Sequence, residues 1–333
     1  MATIGNTFFG LIELYKSQNP NGQIAPVIEM LSEMNPILDD AIAVECNKGT
    51  EHLHTVRSGL PSVAWGKLYQ GIPQSKSGKN QVTDTTGFVE GLSTIDNRIL
   101  ALSDNPGAVR LSEAKAFLEA MSQEVASKVF YGNTATDPEE FMGLAPRFND
   151  LSASNGNQII DAGGTGSDNT SIWFVTWGEN QTQLLYPKGT QAGVTREDKG
   201  EQRLLDGSSE AYYGKEELFT WNVGLAVKDW RYVSRIANVD VSLMQAGSVS
   251  LYDFMRKAYY QLQNRRVAGG KMAIYCNRDV MEALDALATN AGASDAYIRL
   301  KPGMDIQGKE VLTYRGIPIR ESDALLNTEA RVV

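Results

Sequence analysis

The chain has 333 residues, of which 42% are hydrophobic and 21% charged, and its formal net charge is −9. This length corresponds to about two domains of roughly 150 residues each, and the composition excludes wholesale disorder. An acidic balance argues against a dedicated nucleic-acid binder, whose binding surface is basic. Two cysteines and two histidines are too few for a disulfide framework or a four-cysteine zinc site, so we expect a reducing compartment.

No stretch of the sequence predicts entry into a membrane. The apolar runs fall short of the roughly 18 residues that a transmembrane helix needs. The first residues, Met1 to Thr7, show no basic region followed by an apolar one, so we expect no secretory signal.

The first 50 residues predict two short helices without a core of their own. One apolar stripe covers residues 6–18 and ends at the turn Asn19-Pro20-Asn21-Gly22, and a second follows Pro26 and stops at Pro36. Helices of this length are marginal in isolation. We therefore expect this segment to be an arm that docks on another surface.

Extended chain replaces helix from residue 51. Glu51–Arg57 and Thr86–Leu92 are candidate strands or parts of strands, and residues 58–80 between them are rich in glycine and contain no acidic residue. A connection of this length without structure of its own is unusual in a compact domain and is usually functional or disordered.

The connection between these strands is basic in an acidic chain. We predict that it projects onto an acidic surface of a neighbouring subunit, because opposite charges favour such a contact. The candidate inter-subunit contact residues are Arg57, Lys67, Lys76 and Lys79.

The clearest helix of the sequence follows a break at Pro106-Gly107 and runs from about Leu111 to Tyr131, before Gly132. Apolar residues recur in it every three or four positions, which is the helical period. We predict that Phe117, Met121 and Val125 pack against a sheet.

The second half predicts mixed α and β structure. Candidate strands are Ser171–Trp177, Phe219–Val227, Trp230–Ile236, Ala273–Cys276, Glu310–Tyr314 and Gly316–Arg320. One helix begins at the Ser250–Asp253 capping box and is expected to reach about Arg265, and Asn277 can cap another that closes at Asn290-Ala-Gly292. Residues 152–170, rich in Gly, Ser and Asn, predict a surface loop.

Few residues are candidates for metal or phosphate binding. His52 and His54 lie on one face of a strand at a spacing that suits two metal ligands, but no third ligand is indicated. Gly163-Gly-Thr-Gly166 lacks the strand and helix of a phosphate loop, and Gly269-Gly270-Lys271 lacks the other residues of a Walker motif. We predict no metal and no cofactor.

Paired acids could serve general acid–base catalysis, but adjacent acids on turns are more often solvated. The pairs are Asp39-Asp40, Glu139-Glu140 and Glu216-Glu217. Arg265-Arg266 is sufficiently explained by the dipole at a helix C-terminus. No catalytic constellation remains, and we predict that the chain is not an enzyme.

The order of these parts resembles the major capsid proteins of tailed double-stranded DNA bacteriophages with the Hong Kong 97 fold, most closely the group from short-tailed phages. Four short segments carry the resemblance: Leu111–Met121 is similar to the start of the spine helix, Phe141-Met-Gly-Leu144 to the segment after it, Tyr275–Leu284 to a strand-to-helix step of the axial domain, and Tyr314–Asp323 to the closing segment.

The resemblance implies an α+β fold of four regions. Residues 1–50 would be the N-terminal arm, 51–100 the extended E-loop, 101–150 the spine helix and peripheral domain, and 151–333 the mixed α/β axial domain with returning peripheral strands. Residues 173–240 depart from the simplest family pattern.

The function implied by the resemblance is self-assembly into hexamers and pentamers that form an icosahedral shell around the phage genome. The implied partners are further copies of the chain, scaffolding, portal and decoration proteins, and packaged DNA in non-specific proximity, with no membrane. Synthesis would occur in the host bacterial cytoplasm and residence in the virion. Two alternatives remain: an encapsulin-like cellular compartment, and a soluble α/β enzyme with a lid loop at 58–80.

Overall fold

A computed structural model describes residues 35–205, 209–263, 265, 270–289, 300–304 and 310–333. Its α-helices are α1 (Ile37–Asp40), α2 (Asn97–Ala101), α3 (Pro106–Tyr131), α4 (Leu144–Arg147), α5 (Val241–Gln245), α6 (Leu251–Gln261) and α7 (Arg278–Thr289). Its strands are β1 (Ala43–Glu45), β2 (Glu51–Gly59), β3 (Gly78–Asp96), β4 (Ile159–Asp161), β5 (Asn169–Trp177), β6 (Thr182–Tyr186), β7 (Val194–Leu205), β8 (Ala211–Val227), β9 (Val233–Asp240), β10 (Lys271–Cys276), β11 (Lys301–Met304), β12 (Glu310–Tyr314) and β13 (Ile317–Glu321). The predicted α+β class is confirmed.

The described strands form one mixed sheet. Its main path runs β11-β12-β13-β10-β5-β6-β8-β3-β2, with β1 on β6, β7 on β8, and β9 between β4 and β5. The parallel pairs are β1 with β6, β5 with β6, β10 with β13 and β4 with β9. No helix within the described ranges is long and apolar enough to span a bilayer.

Strand β5 lies between two hydrophobic cores. All nine of its residues are buried, and its successive side chains point to opposite faces. Trp173 and Val175 belong to one core, together with Val125 and Phe130 of α3. Its alternate residues, such as Phe174, belong to the other core, which α6 and α7 cover. Helices on both faces explain why this strand is buried throughout.

Helix α3 packs on the sheet as its period predicts. Met121 is buried, Val125 is fully buried, and the half-buried Phe117 ring stacks on Phe219 with their centroids 5.6 Å apart. The helix begins earlier than expected. Pro106 is its first residue instead of a break before it, because a proline there forgoes no internal hydrogen bond, and Asn105 Oδ1 accepts from the Ala108 N–H at 3.1 Å.

Helix α6 ends at Gln261 and not near Arg265, because the backbone of Leu262 is already extended (φ −60°, ψ 131°). The Arg265 guanidinium instead donates to the carbonyl oxygens of Tyr259 and Tyr260 at 3.1 and 3.0 Å. This confirms its role at the helix C-terminus. Arg266 lies outside the described residues, as do both arm helices, Gly269 and the Asn290–Gly292 terminator.

Two predictions in the middle of the chain were partly wrong. Residues 152–170 contain a 3-10 turn and strand β4, which pairs in parallel with β9, so this segment is not only a surface loop. The strand predicted from Trp230 begins at Val233. Asp229 accepts from the Arg231 N–H at 3.0 Å and turns residues 230–232 into a 3-10 helix. The predicted Asn277 cap of α7 is confirmed by its 3.0 Å contact with the Val280 N–H.

The C-terminal tail is fixed between α3 and the sheet by a buried polar network, which we call the tail junction (Tyr131, Ser171, Arg235, Asn238 and Glu329). Arg235 Nη2 donates to Glu329 Oε2 at 2.7 Å, and its Nη1 donates to the Phe148 carbonyl at 2.7 Å. Glu329 also accepts from Tyr131 and Ser171. Asn238 forms two 2.8 Å hydrogen bonds with the Val332 backbone.

A second network fixes the chain where the described residues begin. Asp40 accepts two hydrogen bonds from Arg320, at 3.0 and 3.1 Å, and one from the Tyr275 hydroxyl at 3.0 Å. Tyr275 in turn accepts from Trp177 Nε1 at 2.8 Å, and Ile37 is fully buried. Helix α1 is thereby part of the core.

Candidate functional site: the extended hairpin

The candidate contact residues lie on a long two-stranded projection, which we call the extended hairpin (residues 51–85). Its strands are β2 and the first half of β3, paired antiparallel from Glu51 opposite Thr85 to Gly59 opposite Gly78. The second half of β3 pairs instead with β8, beginning at Thr86 opposite Gly224. One continuous strand therefore joins the hairpin to the main sheet.

A glycine permits the close approach of strands where β3 changes partners. A Cβ on Gly224 would lie 2.8 Å from the Thr85 carbonyl oxygen and 2.9 Å from Thr86 Cγ2. Any larger residue would separate the strands at this point. The base of the hairpin thus depends on a residue that is distant in sequence.

Two of the four candidate cations are brought together by the strand register. Arg57 lies directly opposite Lys79, and with Thr55 and Gln81 they line a shallow groove. Like charges directly opposite each other destabilise a strand pair. Within the described ranges no acidic side chain forms an ion pair with either cation. The groove therefore holds two cations that have no acidic partner in the described part of the chain. Lys67 and Lys76 lie separately, exposed in the loop of residues 60–77.

The end of the extended hairpin is also apolar, which the sequence analysis missed. Six large side chains there are 81% to 108% exposed: Leu60, Val63, Trp65, Leu68, Tyr69 and Ile72. Concentrated apolar exposure marks an interaction surface, since a monomer gains nothing from it. The signal was available in the sequence as a tryptophan and five other large apolar residues within a loop free of acids.

The remaining candidates take structural positions. Within the described ranges no group of three His, Cys, Asp or Glu residues is arranged to hold a metal ion. The Gly163–Gly166 segment follows the short strand β4 but leads into strand β5 and opens no helix. Burial raises the pKa of the free Cys46 thiol to about 11 and that of Cys276 to about 12, so both are poor nucleophiles.

The solvated interpretation of the paired acids was wrong for two of them. Asp40 is buried against Arg320, and Glu217 is buried between Arg110 and Arg196. Each faces an arginine from a distant part of the chain, and such a partner compensates the burial of a carboxylate.

The comparisons with known proteins agree with this architecture. The family model of the major capsid protein GP7 matches residues 19–333. A chain in the cryo-EM structure of bacteriophage Epsilon15 is 37% identical, with a TM-score of 0.79, over 100% of this chain and 99% of that one. No curated protein sequence matches the chain.

Two further structures resemble the chain more weakly. The bacteriophage JBD30 capsid matches with a TM-score of 0.52 and 10% identity, covering 89% of this chain and 92% of that one, which indicates a shared fold. The SrpI encapsulin of Synechococcus elongatus has a TM-score of 0.44 and 12% identity, covering 66% of this chain and 91% of that one. The latter similarity is too weak to favour the compartment alternative.

The match to the family model extends over most of the chain, and the Epsilon15 chain is similar over its full length. The chain therefore belongs to the GP7 family of major capsid proteins, the capsid proteins of tailed bacteriophages that share the Hong Kong 97 fold.

Proposed function

We propose that the chain is the repeating subunit of an icosahedral shell, assembled from hexamers and pentamers, that encloses a double-stranded DNA genome and has no catalytic activity. The observation that carries this proposal is the extended hairpin, whose apolar end and unpaired cations find no partner within the described part of the subunit. A second copy of the chain would supply that partner.

The lid-loop alternative does not explain the exposure of the hairpin. A lid covers a pocket of its own subunit, but Trp65 is 98% exposed. An enzyme would gain no substrate contact from a tryptophan in solvent, whereas a subunit that interlocks with a neighbour would bury it.

The contact would combine two kinds of interaction. Arg57, Lys67, Lys76 and Lys79 would face an acidic surface of the adjacent copy, and the apolar side chains at the end of the hairpin would pack beside them. The net charge of −9 makes acidic surface abundant on that copy. Charge complementarity would set the orientation of the contact, and apolar burial would stabilise it.

The four-region division also remains a proposal: arm 1–50, E-loop 51–100, spine helix and peripheral domain 101–150, and axial domain 151–333. The pairing of β8 with β3 supports returning peripheral strands within the last region, because residues 214–224 join a sheet begun by residues 86–96. The junction of the extended hairpin with this sheet lies at Thr86.

Several partners would act beside further copies of the chain, namely scaffolding, portal and decoration proteins, after synthesis in the host bacterial cytoplasm. Packaged DNA would be only a non-specific neighbour. A subunit with an acidic balance would not bind DNA tightly, since tight non-specific binding requires many cationic phosphate contacts.

The test replaces the loop of the hairpin while keeping its stem. Because Gly59 and Gly78 are paired, residues 60–77 can be replaced by a two-residue Asn-Gly turn, which closes antiparallel strands well. Electron microscopy of the purified wild-type chain should show closed particles, with nucleic-acid content distinguishing a phage shell from a cellular compartment. The shortened variant should keep its melting temperature and form no closed particles; normal particles from it would refute the proposal.

A further inference from the structure

The two histidines of the chain both lie at the base of the extended hairpin. His52 and His54 share one face of β2, with ring centroids 6.3 Å apart. Asp84 of β3 is directly opposite His52 in the strand register, and its Oδ2 lies 3.6 Å from His54 Nδ1. Three titratable groups therefore meet two residues before β3 leaves the hairpin for the main sheet.

These groups are buried without being satisfied. His52 is 7% exposed and Asp84 is 4% exposed. Four of their buried polar atoms have no hydrogen-bond partner in the described chain: Nδ1 of His52, both ring nitrogens of His54, and Oδ2 of Asp84. Buried polar atoms nearly always have a partner, so a concentration of exceptions at one place requires an explanation.

Two cations of the surrounding elements act electrostatically on the imidazoles. Arg147 of α4 donates to Asp84 Oδ1 at 2.8 Å and thus already neutralises this carboxylate. Lys228, which follows β8, donates to the Glu179 carbonyl at 2.8 Å. The Cys46 thiol beyond β1 is uncharged near neutral pH, since its pKa is about 11. Protonation of either imidazole would therefore bury a further positive charge beside two cations and one carboxylate that is already paired.

This environment favours uncharged imidazoles. Burial is the main cause that lowers the pKa of His52, and Lys228 and His54 lower it further against the opposing effect of Asp84. Burial also lowers the pKa of His54; Asp84 opposes this, while Lys228 and Arg147 add to it. Desolvation therefore outweighs the attraction of the carboxylate at both positions.

We propose that His52, His54 and Asp84 form a proton-sensitive joint, which holds the base of the extended hairpin against α4 and the end of β8 at neutral pH and loosens it in mild acid. Such a joint would act within the single chain, independently of the proposed shell contact. The joint would make the attachment of the hairpin depend on the pH of the medium. This dependence would arise at the base of the hairpin and would not require any partner at its end.

Proton linkage determines whether the packing of the hairpin base weakens or strengthens as the pH falls. The packed base binds protons more weakly than a loosened base, in which each imidazole recovers its ordinary pKa of about 6.5. Packing is therefore unaffected above that pH and weakens as the pH falls below it. At pH 5.5 the loosened state should gain up to about tenfold in population for each histidine.

Hydrogen exchange of the full-length protein at pH 7.5 and 5.5, corrected for the intrinsic pH dependence of exchange, tests the joint. Amides of the stem, residues 51–57 and 79–85, should lose up to about tenfold of protection per histidine, while those of α3 should keep theirs. The double variant His52→Gln/His54→Gln should lose this pH dependence. Thr55→Gln, an exposed change on the same strand, should retain it.

Two outcomes would overturn the proposal: wild-type stem amides equally protected at both pH values, or a double variant with the pH dependence of the wild type. If the double variant fails to fold, selective carbon-13 labelling of histidine in the wild type gives two signals to titrate by NMR. Midpoints below about 6.5 support the joint, and two midpoints at or above that value exclude it.

Discussion

The tail junction and the extended hairpin differ in the burial and pairing of their side chains. At the tail junction Arg235, Glu329 and Ser171 are buried and hydrogen-bonded to one another. On the hairpin, Trp65 is almost fully exposed and Arg57 faces another cation. The contacts of the first region are complete within one chain, whereas the second leaves large apolar and cationic side chains without partners in the described residues.

We therefore expect the residues that stabilise the fold to differ from those that contact neighbouring copies. Substitutions at the tail junction should lower the free energy of unfolding, since they remove contacts made inside the subunit. Substitutions of the exposed side chains on the extended hairpin should leave that free energy unchanged and affect only contacts between copies. A hairpin substitution that lowers the free energy of unfolding would show that the two regions are not independent.

Glu329→Ala should have the largest effect on folding. It leaves the guanidinium of Arg235, whose side chain is 4% exposed, without its carboxylate. Loss of one partner of a buried ion pair costs about 3–5 kcal/mol. Chemical denaturation should show this loss, and Arg331→Ala, an exposed change in the same tail, should be nearly silent. A loss below about 1 kcal/mol would mean that water replaces the carboxylate at the junction.

Met121→Pro should follow, at about 3 kcal/mol or more, because proline removes an internal hydrogen bond of α3 and clashes with the preceding turn. Met121 lies in the interior of this helix and is buried against Phe219. Soluble yield and particle count should both fall. Lys115→Ala, on the exposed side of the same helix, is the control. Normal assembly of the proline variant would contradict the assignment of α3 as the spine helix of the subunit.

The elements predicted well from the sequence are those that local periodicity decides. Helix α3 repeats its apolar residues at the helical period, and β8 alternates from Phe219 to Val227, so both can be recognised in the sequence without knowledge of a distant partner. Strand β4 and the tail junction were missed because their partners are remote: Arg235 and Glu329 are 94 residues apart. Such long-range contacts cannot be predicted from the local pattern of residues along the chain.

The candidate site was likewise predicted only in part from the sequence. The cations of the extended hairpin are visible in sequence, but the opposition of Arg57 and Lys79 depends on the register of two strands. The carboxylate beside the histidines likewise pairs with Arg147 of α4, which is 63 residues from Asp84. His52 and His54 were correctly placed on one strand face, yet the two neighbouring cations that disfavour their protonation could not be foreseen.

Asp40→Ala should lower the free energy of unfolding by about 2 kcal/mol, because Arg320 and the Tyr275 hydroxyl lose their shared acceptor. The loss should be smaller than at Glu329, since the side chains of Asp40 and Arg320 are 12% and 15% exposed and water can partly replace the contact. Asp39→Ala is a matched control, as Asp39 is exposed and adjacent. Equal melting curves for the two variants would contradict the importance of this network.

Deletion of residues 1–34 should hardly change the unfolding of the remaining chain, because the cut spares Ile37 and Asp40, which anchor α1 in the core. The same deletion should prevent normal closed particles, as expected if the arm contacts another surface. Denaturation and electron microscopy on one preparation separate the two effects. Normal particles from the truncated chain would refute the prediction for the arm.

The smallest effect on folding is expected from reversing the three lysines of the extended hairpin. Lys67, Lys76 and Lys79 are exposed, and surface substitutions usually change stability by less than about 0.5 kcal/mol. Their replacement by glutamate should nevertheless reduce the yield or the melting temperature of particles, because acids would then face the acidic surface proposed for the neighbouring copy.

The loss should be greater at low ionic strength, since the screening length grows from about 10 Å at 0.1 M salt to about 30 Å at 0.01 M. Replacing three other exposed lysines, Lys115, Lys188 and Lys271, by glutamate changes the net charge equally. General repulsion between subunits is therefore the same in both variants, and only the position of the charges differs. Equal particle yields from the two would show that the basic side chains of the hairpin do not meet an acidic neighbour.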